Sequence, residues 1–130
     1  MREIEFRAWH KKYEYMARVA DISFNRKRIN LNAADIGSFD DIELMQYTGL
    51  KDKNGVKIFE GDIVKVYGRT FDNALKYNIA KVIYLDSQFT LYIYNQYFAI
   101  YSDLCSNYEV IGNIYENKEL LEAKNECRNW

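Results

Sequence analysis

The chain has a single histidine, His10, and it is the first residue to weigh as a catalytic base. A serine or cysteine nucleophile needs a base within hydrogen-bonding reach, and histidine is the side chain that most often supplies it. His10 stands between Trp9 and Lys11, and no local motif places a nucleophile beside it. The sequence predicts an exposed turn histidine and no catalytic residue, although a pair formed only by the fold stays open.

Acidic residues offer a second kind of chemistry, because paired carboxylates can share a proton or hold a metal ion. They cluster at Asp40, Asp41 and Glu43, and again at Glu60 and Asp62. Asp52–Gly55 is similar to the start of a calcium loop, but an EF-hand requires an acid or amide at Val56 and glycine at Lys57. We therefore predict surface or turn roles for these acids, with no metal and no cofactor.

Positive charge is concentrated near the N-terminus. Residues 1–34 hold eight Lys and Arg against four Asp and Glu, whereas the whole chain has a net charge of −1. Arg26, Lys27 and Arg28 lie at a predicted turn and are candidate contacts for nucleic-acid phosphates. The chain as a whole is not a polycation, so the pattern predicts weak binding centred on this turn.

Aromatic residues are dense between positions 84 and 101. Alternation along a strand puts Leu91 and Ile93 on one face and Tyr92 and Tyr94 on the other. If the first face is core, the tyrosines are exposed and could anchor a protein partner or stack on bases. Ordinary sheet packing is the alternative, because tyrosine favours strands. The candidate interaction surface consists of Tyr84, Tyr92, Tyr94, Tyr97 and Phe98.

Strands must position most of these residues. The pattern predicts a β-meander over 1–34, a connection over 35–46 (one short helix or an irregular segment), strands over 47–116 and a helix over 117–130, capped by Asn117. Gly49, Gly55 and Gly61 mark turns that need positive φ, with Asn54 and Gly55 forming an Asn-Gly turn. Residues 79–85 and 89–94 form a hairpin across 86–88.

Composition bounds the class of protein. A chain of 130 residues with 48% hydrophobic residues suits a single domain with its own core. Cys105 and Cys127 are far apart in sequence and favour neither a disulfide framework nor a zinc site. The N-terminal residues contain no apolar signal region and no run of apolar residues could cross a membrane, so we expect a cytoplasmic protein.

Three segments of the chain carry a longer motif. The central one is Glu43–Gly55 continuing into Ile58–Val64, and the flanking ones are Ile4–Trp9 and Tyr108–Asn117. These segments resemble the YopX-like proteins of phages and prophages. The resemblance implies an SH3-like small barrel or roll, with the barrel at 47–116, and a prophage setting within the bacterial host. It implies no activity.

Together these observations predict a mainly β, single-domain, non-enzymatic accessory or protein-interaction module of phage or prophage origin. Its expected partners are a second copy of itself and an unidentified host or phage protein. The alternative is a small β-barrel that binds nucleic acid through the basic N-terminal patch.

Overall fold

The computed structural model describes residues 2–31, 36–69, 75–93, 95–101 and 107–122. The chain divides into two compact units, one ending at Tyr47 and the other beginning at Thr48.

The first unit is an antiparallel sheet built around a meander. Its strands are β1 (Phe6–His10), β2 (Tyr15–Ser23), β3 (Arg28–Leu31), β4 (Ile36–Ser38) and the first part of β5 (Ile42–Lys51), in the order β4-β3-β2-β1-β5. Apolar residues that alternate along these strands form the core: Ala8, Ile29, Leu31 and Ile42 are buried. The predicted N-terminal meander is confirmed.

The segment between β4 and β5 differs from both predicted alternatives. Residues 39–41 form a tight turn, in which the N–H of Asp41 donates to the carbonyl oxygen of Ser38 (3.0 Å), and β5 begins at Ile42. The short helix predicted here is wrong, because Ile42 to Gln46 pair with β1 along its whole length. Pairing with a neighbouring strand outweighs the weak helix signal of an acidic first turn.

The second unit contains a five-stranded antiparallel sheet. Strand β5 continues into this unit, where it neighbours β6 (Lys57–Phe59). The five-stranded sheet consists of β7 (Asp62–Arg69), β8 (Leu75–Leu85), β9 (Gln88–Ile93), β10 (Gln96–Ala99) and β11 (Tyr108–Asn113), in the order β10-β9-β8-β7-β11. Its core comprises Ile58, Val64, Ala80, Val82, Leu91, Ile93 and Tyr108.

The turns of this unit follow the expected residues. Asp86 and Ser87, with φ of 50° and 68°, form the two-residue turn of the predicted β8–β9 hairpin. Gly49, Gly55 and Gly61 have φ of 90°, 80° and 88°, which confirms the positive φ predicted for each. The turn predicted at Gly49 is wrong, because this residue lies within β5.

The turn at Asn54 differs in detail from the expected geometry. Only Gly55 of the Asn-Gly pair has positive φ. The N–H of Gly55 donates to the carbonyl oxygen of Asp52 (3.0 Å), and the N–H of Asp52 donates to the carbonyl oxygen of Val56 (2.8 Å). These bonds describe a tight turn followed by one left-handed glycine, a common hairpin connection that needs positive φ at a single residue.

The prediction of a mainly β chain with a C-terminal helix is confirmed for the described residues. Helix α1 spans Glu119–Glu122 and contacts β8, while residues 123–130 of the predicted helix lie outside the described residues. The SH3-like barrel is not confirmed, because neither strand order closes on itself.

Replacing Gly55 with valine should destabilise the protein. A Cβ at this position has nothing within 4 Å, so the cost is the positive φ of 80° and no clash accompanies it. We expect Gly55→Val to lower the free energy of unfolding by about 1–3 kcal/mol in urea denaturation. Gly55→Asn is the matched control, since asparagine tolerates this conformation and should lose much less. If the two variants lost equal amounts of unfolding free energy, the positive φ of Gly55 would not be the cause of the destabilisation.

Candidate interaction surfaces

The structure places His10 differently from the sequence prediction. It is the last residue of β1, and its side chain is only 8% exposed. Its ring stacks on that of Tyr15 (5.3 Å between centroids), and its Nδ1 accepts the N–H of Tyr13 at 3.2 Å. The prediction of an exposed turn histidine is wrong, because the aromatic residues that follow in the hairpin cover the ring. His10 anchors the β1–β2 turn.

Asp52 is buried and organises the backbone around it. One carboxylate oxygen accepts the N–H groups of Asn54 (2.8 Å) and Val56 (2.9 Å), and the other accepts the N–H of Val110 on β11 (2.8 Å). The turn role predicted for this acid is therefore correct, but a surface position is wrong, since its side chain is 6% exposed. A carboxylate that receives three backbone donors joins its own turn to a distant strand.

Asp62 is buried in a similar way. It is 2% exposed, and its Oδ2 accepts the N–H of Phe59 at 2.7 Å. Asp40, Asp41 and Glu43 are exposed, as expected for surface acids. Within the described part of the chain, no group of three or more His, Cys, Asp or Glu side chains is arranged to hold a metal ion, and no helix there could cross a membrane. Cys105 and Cys127 lie outside the described residues.

Arg26, Lys27 and Arg28 are all exposed and belong to the β2–β3 hairpin of the first unit. Residues 24–27 form its turn, and Arg28 is the first residue of β3. The carbonyl oxygen of Lys27, a residue with φ of 53°, accepts the N–H of Phe39 at 3.0 Å. The basic turn is therefore held to the turn at 39–41, and the structure brings all three predicted residues together.

The carboxylate of Asp41 lies within electrostatic range of this basic turn. The pKa of Asp41 is lowered, chiefly because the backbone N–H of Ser38 donates to its carboxylate, and His10 and Arg28 lower it further. Asp41 is therefore ionised at neutral pH and offsets part of the charge of Arg28.

The predicted tyrosine surface is divided between the two faces of the five-stranded sheet. Tyr92 and Tyr97 are directly opposed on β9 and β10, and their rings are 5.1 Å apart on the face turned away from Leu91 and Ile93. We call this the outer face. Residues directly opposed in an antiparallel pair share a face.

Tyr84 and Phe98 belong to the opposite side of the sheet. Phe98 is opposed to buried Leu91, and Tyr84 is opposed to Phe89, whose ring it meets at 5.2 Å. Phe98 is 45% exposed and Tyr84 is 55% exposed, since both lie at the rim of the sheet. Tyr94 lies outside the described residues.

Lysines on the outer face, with Lys53 in the turn before β6, lie over its tyrosine rings. Lys81 Nζ is 5.1 Å from the ring centroid of Tyr92, Lys65 Nζ is 4.6 Å from that of Tyr77, and Lys53 Nζ is 4.5 Å from that of Tyr67. This pairing was not predicted from sequence. The signal was present in Lys65 and Lys81, which alternate with apolar core residues, but the ring each meets depends on strand register.

Tyr67 also bonds to a carboxylate on the neighbouring strand. Its hydroxyl donates to Oε1 of Glu109 at 2.8 Å, which raises the pKa of Tyr67 above its usual value, with partial burial adding to the shift. The outer face is not open throughout, because Ile63 and Ile79 on it are buried. At the other end of this face Tyr97 is exposed, and half-buried Tyr92 lies beside it.

Strand β10 itself is a second feature that the sequence did not reveal. It is the last strand of its sheet, and all four of its residues are exposed, including Tyr97 at 57% and Phe98 at 45%. Among the described strands it has one neighbour, β9, so its other edge pairs with no described strand.

The family model described as YopX protein matches residues 5–122. The chain belongs to the YopX family. This confirms the resemblance carried by the central segment and the two ends. A search of curated proteins gives no match.

Two solved structures share the fold of this YopX-family chain. Protein EF1440 from Enterococcus faecalis is 30% identical, with a TM-score of 0.68, and the match covers 93% of this chain and 99% of that one. YopX from Bacillus subtilis is 20% identical, with a TM-score of 0.58 and the same coverage. At 20% identity the second likeness concerns the fold alone.

Replacing Asp52 with asparagine should destabilise this YopX-family fold. The variant keeps the size of the side chain but loses the charge and one of the two acceptor oxygens that serve three backbone donors. We expect a loss of about 2–3 kcal/mol in the free energy of unfolding, measured by urea denaturation. The control is Asp40→Asn, which removes the same charge from an exposed turn. A loss no larger than that of the control would contradict the role of Asp52.

Proposed function

We propose that this YopX-family protein is a non-enzymatic interaction module that associates with a second copy of itself through strand β10. The observation that carries the proposal is an exposed edge strand with two exposed aromatic side chains, Tyr97 and Phe98, one on each face. Edge strands of this kind are templates for strand addition, in which backbone hydrogen bonds supply affinity and side chains supply specificity.

Several properties of β10 favour its own copy as the partner. Antiparallel pairing about a two-fold axis uses one surface twice, so it needs no second complementary surface. The strand Gln96–Ala99 carries no charge, and pairing therefore brings no like charges together. Natural edges are commonly protected by lysine, proline or a bulge, and this strand contains no lysine or proline.

The pairing register is constrained by the alternation of side chains. Directly opposed residues must lie on the same face, so the two-fold axis passes between a residue and its own copy. An axis near the centre of the strand lies at either Tyr97 or Phe98. The first arrangement opposes two tyrosines on the outer face. The second opposes two phenylalanines on the core side. Both bury aromatic surface that is exposed in the single chain.

The biological setting follows from the sequence resemblance. We propose an accessory protein of phage or prophage origin that acts in the cytoplasm of a bacterial host. An unidentified host or phage protein is a further expected partner, and the Tyr92 end of the outer face is available to it. Tyr97 and Tyr92 form one continuous pair, so a single surface could serve both associations.

Sedimentation velocity tests self-association. We expect the protein to sediment above monomer mass as its concentration rises, and the double variant Tyr97→Lys with Phe98→Lys to remain a folded monomer, because lysine on an edge strand blocks pairing. Tyr84→Lys, at an equally exposed aromatic position (55%), is the matched control and should still associate. A parent protein that stays at monomer mass at high concentration would end the proposal, and an associated double variant would place the interface elsewhere.

Nucleic-acid binding is the second candidate function. It is favoured by the exposed cluster of Arg26, Lys27 and Arg28 at one hairpin turn, and it does not require a closed barrel. Contacts made by this cluster would be mainly to phosphates, so binding should be insensitive to base sequence and weaken steeply with salt.

A charge-reversal variant tests this second function. We expect Arg26→Glu, Lys27→Glu and Arg28→Glu together to abolish binding to single- and double-stranded oligonucleotides at low salt, as measured by fluorescence anisotropy. A control that reverses Lys65 and Lys81, in the second unit, should bind as the parent does. Equal binding by parent and triple variant, or none by the parent, would remove this function.

A further inference from the structure

A cleft of about 410 Å³ lies at the tip of the β2–β3 hairpin, lined by Ser23, Arg26, Arg28 and Asn30. The hairpin register brings these residues together, because Ser23 is opposed to Arg28 and Asp21 to Asn30. Residues on the other side of the same strands, Ile22 and Ile29, face the core. The cleft therefore lies on the solvent side of a firmly paired hairpin, and its volume is within the range of small-molecule sites.

Two polar side chains in the cleft are oriented by neighbours and keep a donor available. The Oγ of Ser23 accepts the backbone N–H of Arg26 at 3.2 Å, which leaves the hydroxyl proton of Ser23 to donate elsewhere. The Nδ2 of Asn30 donates to Oδ1 of Asp21 at 2.6 Å, and an amide nitrogen carries a second hydrogen. Each side chain is held by one hydrogen bond and can make another.

The two arginines supply positive charge beside these donors. Within the described part of the chain, neither guanidinium forms an ion pair with a carboxylate. A guanidinium presents a planar set of N–H donors that matches the oxygens of a phosphate. The cleft thus combines two guanidiniums that have no carboxylate partner among the described residues with a hydroxyl and an amide.

The acids near the cleft reduce this charge without cancelling it. Asp21 contacts the cleft through Asn30, and Asp41 lies within electrostatic range of Arg28. Among the described residues, the three positive charges of Arg26, Lys27 and Arg28 stand against two carboxylates that interact with Asn30 or Arg28. The remaining excess and the geometry of the donors favour a compact oxyanion.

We propose that this cleft binds a phosphate group, held by the guanidiniums of Arg26 and Arg28 and by the side chains of Ser23 and Asn30. The group is either a free phosphate or phosphate monoester, or one phosphodiester unit of a nucleic acid. The site is independent of self-association through β10, and it deepens the nucleic-acid function proposed for the basic turn by naming the group that the turn would hold.

The test follows backbone amide NMR signals of the full chain during titration with inorganic phosphate, with chloride adjusted to constant ionic strength. We expect saturable shifts confined to residues 23–30. Arg28→Gln should weaken phosphate binding about tenfold or more, because a charge-assisted pair of hydrogen bonds is lost. Lys12→Gln removes an exposed charge from the β1–β2 turn and is the matched control, for which affinity should be unchanged. Asp41→Asn should tighten binding by removing the nearby negative charge.

Three results would overturn the site: shifts that do not saturate, shifts spread over every basic surface, or undiminished binding by Arg28→Gln. A parallel titration with a short oligonucleotide separates the two phosphate sources. Saturation by phosphate without oligonucleotide binding supports the site for a free phosphate group and removes the nucleic-acid function. Oligonucleotide binding that depends on the basic turn, without any response to phosphate in the cleft, keeps that function and overturns this site.

Discussion

The carboxylate of Asp52 is the interaction on which the second unit most depends. It is 6% exposed and accepts backbone hydrogen bonds from Asn54, Val56 and Val110. Two of these bonds shape the turn after β5, and the third reaches β11, 58 residues later in the chain. Beside it, the N–H of Lys53 donates to the carbonyl oxygen of Tyr108 at 3.0 Å. The turn and the start of β11 are therefore fixed to each other before any side-chain packing is considered.

That constraint has consequences for the rest of the sheet. Strand β11 pairs with β7, β7 with β8, β8 with β9 and β9 with β10, so the order ends in a strand with one neighbour. A sheet that does not close must leave edges, and each edge must be protected or used. Strand β10 is short, uncharged and aromatic, and for this reason we propose it as the edge that pairs with a second copy.

The two proposed surfaces rely on different physical chemistry. Strand β10 offers backbone hydrogen bonds and apolar surface, whose association is only weakly affected by salt. The β2–β3 turn offers guanidiniums, whose contacts with phosphate are screened by added salt.

The buried polar residues belong to neither surface and have a structural role. His10 and Asp62, like Asp52, satisfy backbone donors in turns, which explains why residues of catalytic type lie inside the molecule.

Sequence by itself determined the features that depend on local chemistry. Alternating apolar residues specified the meander, the β8–β9 hairpin and the inward position of Leu91 and Ile93. The requirement for positive φ specified Gly49, Gly55 and Gly61, and the motif around them specified the family. These features could be predicted from sequence because each depends on residues within a few positions of one another.

Only the tertiary structure decided which of these residues meet. Cross-strand register put Tyr92 and Tyr97 on one face and Tyr84 and Phe98 on the other, although all four had been expected to form one surface. Long-range pairing with β1 made 42–46 a strand, and folding of the β1–β2 hairpin buried His10. The physical reason is that a side chain's environment in a sheet depends on neighbouring strands, which can be distant in sequence and whose register a local pattern does not specify.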